Sequence, residues 1–184
     1  MANDRSHIMI DTETLAQCNN AALVQIGACK FSFQKGIFDE FLINVDPADC
    51  NKHGLKIDKD TVDWWWKQPA EVRQSWMTEP HPLKYSMEAL TTWMGDNKHS
   101  VWAHGSSFDH VILENAWRAV GMEPNWKYWN LYDSRTIFNV AGINNKNLRK
   151  NDNMAHNALA DAKAQTLTLI ELLKDVYDGK HVER

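Results

Sequence analysis

The sequence predicts an α/β domain built on a mixed β-sheet. Three strand-like segments open the chain, and after them helical patterns alternate with short apolar strands. The chain also contains one long helical pattern, residues 158–177, which is its strongest. With 184 residues and no Pro/Gly/Ser-rich linker, the chain has about the size of one domain. We therefore expect a single domain over residues 1–184, with helices on both faces of the sheet.

Three consecutive segments are expected to form a three-strand meander at the start of the domain. Residues 8–14 form a short apolar strand, and residues 21–33 form a longer strand rich in β-branched and aromatic side chains. A turn that contains glycine leads to the third strand, residues 38–45. Farther along, residues 100–104 are predicted to be a short buried strand, and residues 130–140 are predicted to run from a strand into a helix.

Helical patterns fill most of the remaining chain. Residues 58–68 are expected to form a helix capped by Asp60 or Thr61, and Pro69 is expected to open a second helical segment over residues 69–77. The other predicted helices are 86–96 with Ser86 at its start, 108–120 after a cap at Ser106 or Ser107, and 158–177.

The composition limits the environment and the partners of the protein. Nothing at the N-terminus resembles a signal peptide, and no stretch approaches the roughly 18 apolar residues that a membrane helix needs. The three cysteines lack Cys-x-x-Cys spacing, so a reducing cytoplasm is expected rather than a disulfide framework. The net charge of −4 disfavours extensive nonspecific wrapping of duplex nucleic acid, because proteins that coat nucleic acid are usually basic.

Two acidic side chains in the first strand form the first candidate site. Asp11 and Glu13 are two residues apart, so on a strand both point to the same face. Neighbouring carboxylates repel each other and are costly to desolvate, and a divalent cation would offset both costs. An exposed strand end with solvated acids explains this pair equally well.

Two later segments carry further candidates. Asp109 follows Phe108 and falls in the first turn of a predicted helix, where an acid also suits the helix dipole without any ligand. His156 and Asp161 are five residues apart, about 140° around a helix, so they meet at one site only if His156 precedes the helix and Asn157 caps it. A surface histidine and a first-turn acid are the alternative interpretation.

Taken in order, these segments resemble the DEDDh group of DnaQ-like 3′–5′ exonucleases. The match rests on Asp-x-Glu in the first strand, Phe-Asp at a mid-chain helix and His-x4-Asp at the last long helix, and it spans residues 8 to about 175. Residues 25–28, QIGA, also resemble the family. The resemblance implies a ribonuclease H-like mixed sheet, in agreement with the three-strand opening. Gly105 is a departure, because many relatives have asparagine four residues before the second-motif aspartate, and this bears on local substrate contacts.

The resemblance also implies roles for individual residues. Four carboxylates would bind two divalent cations, Mg²⁺ or Mn²⁺, and a histidine would act as general base. The expected catalytic residues are His156 and the four metal ligands Asp11, Glu13, Asp109 and Asp161. The expected substrate-binding residues are Thr12, Thr14, Leu15, Trp64 and Phe108.

The reaction implied is hydrolysis of phosphodiester bonds from the 3′ end of DNA, with single strands preferred, to release nucleoside 5′-monophosphates. A 3′–5′ exoribonuclease acting on RNA or short oligoribonucleotides is the alternative, and a non-catalytic module that binds nucleic-acid ends is a third hypothesis. The ordered recurrence of all five residues disfavours a domain in which the acids are incidental. The DTET start and the short length are most like small exonucleases of phages and prophages, which implies a bacterial or phage-infected host cytoplasm. No membrane association is expected, and the nine tryptophans allow a homodimer interface.

Two local features are connected with the substrate. Trp64, Trp65 and Trp66 are consecutive, and the apolar helical stripe predicts that Trp65 and Trp66 are buried. Trp64 falls on the opposite side and either half-covers a neighbouring surface or stacks on the 3′-terminal bases, where an indole contributes roughly 1–3 kcal/mol per base. The basic segment 144–153 is the expected mobile loop ahead of His156.

Overall fold

The computed structural model describes residues 6–105, 107–143 and 156–177, with side chains described as far as Lys174. The predicted basic loop, residues 144–153, lies outside the described residues. The strands are β1 His7–Thr14, β2 Leu23–Ser32, β3 Gly36–Asn44, β4 Ser100–Ala103 and β5 Leu131–Asp133. The helices are α1 Pro47–Lys52, α2 Lys59–Trp66, α3 Ala70–Met77, α4 Leu83–Met94, α5 Asp109–Ala119, α6 Ser134–Val140 and α7 Ala158–Tyr177, and a 3₁₀ turn covers Tyr128–Asn130. None of these described helices has the length and apolar character needed to span a bilayer.

One five-stranded sheet joins the strands in the order β3-β2-β1-β4-β5. The three N-terminal strands pair antiparallel, β1 with β2 and β2 with β3, which confirms the predicted meander. β4 runs parallel to β1, and β5 runs parallel to β4, so the sheet is mixed, as predicted. The carboxyl ends of β1, β4 and β5 therefore lie at one edge of the sheet, and β1 carries Asp11 and Glu13 toward that edge.

Alternation along β1 divides the hydrophobic core between the two faces of the sheet. Ile10 packs in one core with Leu113 of α5, whereas its neighbour Met9 packs in a second core with Leu169 of α7. All four side chains are fully buried. The predicted placement of helices on both faces is therefore confirmed.

Two helices differ from the prediction at their N-terminal ends, α2 in its cap and α4 in its first residue. α2 is capped by Asp58 rather than by Asp60 or Thr61, because the Asp58 carboxylate accepts the amide hydrogen bond of Asp60. α4 begins at Leu83 rather than at Ser86, and a carboxylate of α1 accepts the hydrogen bond of the Leu83 amide at 2.9 Å. In both cases an aspartate that satisfies a free amide determines where the helix begins.

The start of α5 also differs from the prediction. Phe108 occupies the cap position, and no side-chain hydrogen bond caps the helix there, so the predicted cap at Ser107 is wrong. Ser106, the alternative cap, lies outside the described residues. The amide of Phe108 donates to the carbonyl of Gly105 at 3.2 Å, and this backbone turn leads into the helix without a polar cap.

Candidate active site

The two acidic residues of β1 lie on the face of the sheet that α7 covers. In the antiparallel pairing, Asp11 is opposite Gly27 of β2 and Glu13 is opposite Gln25. Asp11 is partly buried, and its Oδ1 accepts a hydrogen bond of 2.9 Å from the side-chain amide of Gln165 on α7. Both acids therefore face α7, which confirms the prediction that they point the same way. Gln165 has no distinguishing signal in the sequence and was not predicted.

The start of α7 brings the predicted histidine and the fourth acid to Glu13. His156 precedes the helix with a φ of 70°, and the side chain of Asn157 caps the helix by accepting a hydrogen bond of 3.1 Å from the amide of Ala160. The amide of His156 donates to Oδ2 of Asp161 at 3.3 Å. One potential ligand atom from each of Glu13, His156 and Asp161 lies within 4.8 Å of the other two. The geometry matches the predicted arrangement in which His156 lies ahead of the helix.

The backbone of α7 reaches this position because β2 has a glycine beneath it. A Cβ atom on Gly27 would lie 2.1 Å from the amide nitrogen of Leu159 and 2.2 Å from the carbonyl carbon of Ala158, which is far closer than real carbon contacts. Nearby, the buried side chain of Gln25 accepts a hydrogen bond of 2.8 Å from the amide of Ala158. Only the resemblance of residues 25–28 pointed to this part of β2. The Gln25–Ala158 bond joins positions 133 residues apart, which no local pattern predicts.

Asp109 reaches the other acids from the opposite face of the sheet. It is the first residue of α5 and is 4% exposed. Thr12, which lies between Asp11 and Glu13 on β1, donates to Oδ1 of Asp109 through its amide at 3.0 Å and through its hydroxyl at 2.8 Å. Because successive residues of a strand point to opposite faces, β1 holds its own acids on one face and the α5 acid on the other.

The four acids, Asp11, Glu13, Asp109 and Asp161, form an acidic tetrad whose charges interact. Burial raises the pKa of Asp11 well above its usual value, and the charges of the other three acids raise it further, while the hydrogen bond from Gln165 lowers it. Burial also raises the pKa of Asp109 to about 6, and its hydrogen bonds oppose that rise. The tetrad therefore concentrates negative charge that water does not fully solvate.

The acidic tetrad suits divalent cations. Carboxylate oxygens are the ligands that hard cations such as Mg²⁺ and Mn²⁺ prefer. Without a positive partner, burial and then the charges of the other three carboxylates raise the pKa of Asp11. A bound cation would favour the charged forms of Asp11 and Asp109. The residues present therefore fit the divalent cations that the sequence predicts.

A cleft of about 460 Å³ opens beside the tetrad. Four of the five predicted substrate-binding residues line it, namely Thr12, Thr14, Trp64 and Phe108. Leu15 is 6% exposed and packs with Val24 and Trp65, so its side chain lies behind the wall of the cleft. Further lining residues that the sequence did not predict as substrate contacts are Gln17, Asp58, Asp60 and Thr61.

Two of the three consecutive tryptophans differ in burial, although both are predicted to be core residues. Trp65 is 3% exposed, and its indole nitrogen donates to the carbonyl of Thr14 at 2.9 Å, which confirms its prediction. Trp66 is 58% exposed, so its predicted burial is wrong. α2 ends at Trp66, and the break at Pro69 separates it from the next helix, so no continuous apolar stripe covers its ring. Its indole packs on the guanidinium of Arg73 instead, 4.9 Å from the ring centroid.

Trp64 lines the cleft and also contacts the histidine. It is 40% exposed and lines the cleft, and its ring packs edge to face with the imidazole of His156 at a centroid distance of 4.9 Å. Trp65 approaches the same imidazole at 6.1 Å. Two of the three tryptophans thus surround His156, so the tryptophan run forms part of the site as well as of the core.

The amino-acid sequence matches the family described as the 3′–5′ exoribonuclease Rv2179c-like domain over residues 6–173. A comparison with curated proteins finds no match. Among solved structures, an E. coli exonuclease I complex with single-stranded DNA and zinc superposes with a TM-score of 0.72 at 16% identity, covering 96% of this chain and 42% of that one. A second E. coli exonuclease I complex, with a dT13 oligonucleotide, superposes with a TM-score of 0.69 at 15% identity, covering 95% of this chain and 43% of that one.

The nuclease domain of 3′hExo, described as a DEDDh family member and bound to rAMP, also matches. It superposes with a TM-score of 0.63 at 14% identity, covering 99% of this chain and 96% of that domain. The chain spans about two fifths of the exonuclease I chains it matches. At these identities the superpositions establish the fold, which is the ribonuclease H-like mixed sheet that the sequence predicts.

Proposed function

This chain belongs to the family of 3′–5′ exoribonuclease Rv2179c-like domains, and on that premise we propose that it releases nucleoside 5′-monophosphates from the 3′ end of single-stranded RNA. It is a DEDDh-type, DnaQ-like 3′–5′ exonuclease and therefore a phosphodiester hydrolase. The preference for DNA expected from the sequence gives way here to RNA, because the matching family is described by exoribonuclease activity.

One observation supports this proposal most directly: one histidine and the acidic tetrad lie together at one edge of the sheet. Potential ligand atoms of Glu13, His156 and Asp161 lie within 4.8 Å of one another. Asp11 is close enough to the other three acids for their charges to raise its pKa. Five residues from three distant parts of the sequence thus meet beside a cleft of nucleotide size.

The acidic tetrad is assigned as the ligand set for two divalent cations, Mg²⁺ or Mn²⁺. When bound, such a pair lowers the pKa of a water and stabilises the charge that develops on the leaving 3′-oxygen. The chain holds the ligands in place by three different contacts. The pairing of β1 with β2 orients Asp11 and Glu13, the two hydrogen bonds from Thr12 orient Asp109, and the capped start of α7 orients Asp161.

His156 is assigned as the general base. Histidine side chains have an unperturbed pKa of about 6.5, close to working pH, so a neutral imidazole can accept the proton of the attacking water. The water oxygen bonds to phosphorus as the bond from phosphorus to the upstream 3′-oxygen breaks, and the released nucleotide keeps its 5′-phosphate. The indole of Trp64, at 4.9 Å, limits the orientations that the imidazole ring can adopt.

The cleft is assigned to the 3′-terminal nucleotide. The exposed part of Trp64 and the ring of Phe108 offer apolar surface to a base, and a stacked aromatic ring contributes roughly 1–3 kcal/mol per base. Thr12 and Thr14 also line the cleft, and their hydroxyls, which donate to Asp109 and to the carbonyl of Ala16, keep lone pairs that can accept hydrogen bonds from the sugar. Leu15 contributes from behind by packing against Trp65.

His156→Ala and Asp11→Asn test the assignment directly. Each variant should lower the release of mononucleotides from a 5′-labelled single-stranded RNA by at least about 10³-fold in Mg²⁺ or Mn²⁺, because each removes a group that acts on the reacting atoms. The measurement is the shortening of the labelled strand with time. His53→Ala is the matched control, because His53 is exposed at the end of α1 and should leave the rate unchanged. Digestion by either site variant at the wild-type rate would show that the assignment is wrong.

Single-stranded DNA is the second candidate substrate. The superpositions on exonuclease I complexes with single-stranded DNA favour it. A DNA oligomer of the same sequence, digested in parallel with the RNA, separates the two candidates. Faster digestion of RNA supports the proposal, whereas faster digestion of DNA restores the preference expected from the sequence.

Four expectations from the sequence stay predictions: a single domain over residues 1–184, a cytoplasmic location, a relationship to phage enzymes, and a homodimer. Trp66 and Trp129 are exposed by 58% and 62%, and exposed aromatic rings of this kind are enriched at the centres of protein interfaces. A native molecular mass measured in solution tests the homodimer.

A further inference from the structure

The turn that follows β4 lies directly against an arginine of α6. Gly105 has a φ of 126°, and a Cβ atom there would lie 3.2 Å from both Cζ and Nη2 of Arg135 and 3.4 Å from Nη1. Three guanidinium atoms at nearly equal distances mean that the flat face of the guanidinium covers the glycine. A side chain at position 105 would press on the guanidinium, and its backbone would be strained at this φ.

Hydrogen bonds orient Arg135 over this turn. Its Nη2 donates to the carbonyl of His104 at 2.7 Å. The carboxylate of Asp133 accepts the amides of both Gly105 and Arg135 at 3.0 Å, so the turns after β4 and β5 are tied together. Near a strand end, Asp133 is predicted from the sequence to cap a helix or to support the metal ligands rather than to be a fifth ligand, and its side chain does cap α6. In the structure it connects two strand ends at the edge that carries the acidic tetrad.

The guanidinium lies near the tetrad and retains donors for a ligand. It covers Gly105, whose carbonyl accepts the hydrogen bond of the Phe108 amide, one residue before Asp109. The side chain is exposed, and among the described residues no carboxylate lies within ion-pair distance of it. A guanidinium has five N–H donors, so the bond to His104 leaves others to bind an anion.

We propose that Arg135 binds a phosphodiester oxygen of the substrate strand upstream of the scissile bond, and that Gly105 allows the guanidinium to lie where it does. This inference rests on the proposed function, in which the 3′-terminal nucleotide occupies the cleft. Phe108 lines that cleft, whereas Arg135 lies in the first turn of α6, directly after β5, which is the edge strand beyond β4. A strand that leaves the cleft across the tetrad toward β5 would pass Arg135.

The chemistry of the guanidinium suits this position. Its planar fork can pair with two phosphate oxygens, which an ammonium group cannot do with the same geometry. The phosphate carries no base identity, so the contact would serve any sequence and both RNA and DNA. In a chain with a net charge of −4, an oriented cation beside four acids also offsets repulsion between the protein and its polyanionic substrate.

Arg135→Gln in a His156→Ala background tests the contact by binding, because the strand is left uncut. We expect the Kd for a labelled single-stranded oligomer in Mg²⁺ to rise about tenfold, and the slope of log Kd against log salt to fall by about 0.7–1. Arg135→Lys keeps the charge without the fork and should raise the Kd by about threefold. Arg118→Gln is the matched control, since it removes the same charge from an exposed arginine that pairs with Glu114 at 3.1 Å. Equal Kd values and equal salt slopes for Arg135→Gln and Arg118→Gln would overturn the proposal.

Oligomers with one neutral methylphosphonate linkage locate the phosphate. With Arg135 present, one neutral linkage upstream of the terminal nucleotide should weaken binding about tenfold, and in Arg135→Gln the same linkage should add little further loss. Identical losses in both proteins at every linkage would show that the contact does not exist. Failure of the wild-type protein to shorten the unmodified oligomer would instead remove the proposed function, so the two failures are distinguishable.

Gly105→Ala tests the second half of the inference in the same binding assay. We expect it to weaken binding about as much as Arg135→Gln, and we expect the double variant to bind no more weakly than either single variant. A thermal melt of each variant measures the strain that alanine introduces at a φ of 126°. Additive losses in the double variant would show that Gly105 acts through its backbone alone.

Discussion

The two halves of the candidate active site are held in different ways. The sheet half consists of Asp11 and Glu13, which β1 carries between two paired strands, and of Asp109, which is bonded to the same strand. The helix half consists of the start of α7 with its histidine and its acid. Its position depends on a close approach to Gly27 and on a hydrogen bond to Gln25.

This difference has a consequence for the robustness of the site. The sheet half belongs to the hydrogen-bond network that defines the fold, so displacing it requires the loss of strand pairing. The helix half depends on the distance between a packed helix and a sheet, which a single extra methyl group can change while the sheet stays folded. Catalytic geometry should therefore be most sensitive where α7 meets β2.

Among substitutions outside the reacting groups, Gly27→Ala should give the largest effect. The new Cβ atom would lie 2.1 Å from the amide nitrogen of Leu159, so the start of α7 has to move away from the tetrad. We expect a loss of at least about 10² in exonuclease rate, since a misplacement of about 1 Å costs this much, and a stability loss of about 1–3 kcal/mol. The rate and a thermal melt of the same sample measure both effects. A wild-type rate in a variant that is folded would refute the role given to this contact.

Gln25→Leu and Thr12→Val compare the two halves directly. Gln25→Leu leaves the buried amide of Ala158 without its partner, so we expect a stability loss of about 1–3 kcal/mol and a rate loss of about tenfold as α7 shifts. Thr12→Val removes the hydrogen bond from the hydroxyl to Asp109 but keeps the one from the backbone amide. We therefore expect a stability loss of about 1 kcal/mol and a rate loss of about threefold. A larger rate loss for Thr12→Val than for Gln25→Leu would reverse the comparison.

The smallest expected effect is a pH-dependent shift in thermal stability. Burial raises the pKa of Asp109 to about 6, so without metal the folded state binds this proton more tightly than the unfolded chain does. The ionised carboxylate of Asp109 therefore destabilises the folded protein above about pH 6. This destabilisation is relieved as the pH falls through about 6 and the carboxylate is protonated. A divalent cation competes with the proton. We expect Mg²⁺ to raise the Tm by a few degrees at about pH 7.5 and by less at about pH 5.

His110 changes the stability in the opposite direction as the pH falls, so it serves as an internal control. Burial lowers its pKa to about 4, so the stability that comes from burying the neutral ring is present above about pH 6.5 and is lost as the pH falls toward 4. His110 is not assigned as a metal ligand, so we expect Mg²⁺ to change this contribution less than it changes that of the acids. At each pH, the difference in Tm between the melts with and without Mg²⁺ therefore reports mainly the contribution of the acidic tetrad. A Mg²⁺ shift that is equal at both pH values would contradict the assignment of the tetrad as a metal site.

The parts of the site that the sequence predicts are those set by local geometry. The spacing of Asp11 and Glu13 determines their common face because the side-chain period of a strand is two. The position of His156 ahead of α7 follows from helical periodicity combined with the cap at Asn157. The mixed sheet follows from the order of strand and helix patterns, which is why the fold could be predicted from the chain alone.

The parts that could not be predicted depend on contacts between distant positions. Three contacts exist only in the folded chain: the close approach of α7 to Gly27, the hydrogen bond from Gln165 to Asp11, and the packing of Arg135 on Gly105. The burial predicted for Trp66 rests on an apolar stripe that continues past a bend at Pro69. The chain turns between α2 and α3 instead, which leaves its ring exposed.

The buried amide of Gln25 also connects the start of α7 with α3. Its oxygen accepts from the start of α7, and its nitrogen donates to Oδ1 of Asn44 at 2.8 Å and to the carbonyl of Ser75 in α3 at 3.4 Å. α3 in turn supports the wall that carries the tryptophans, since Trp76 packs against Trp65 with ring centroids 5.5 Å apart. One amide group thus hydrogen-bonds both to the helix that begins beside His156 and to the helix that supports Trp65.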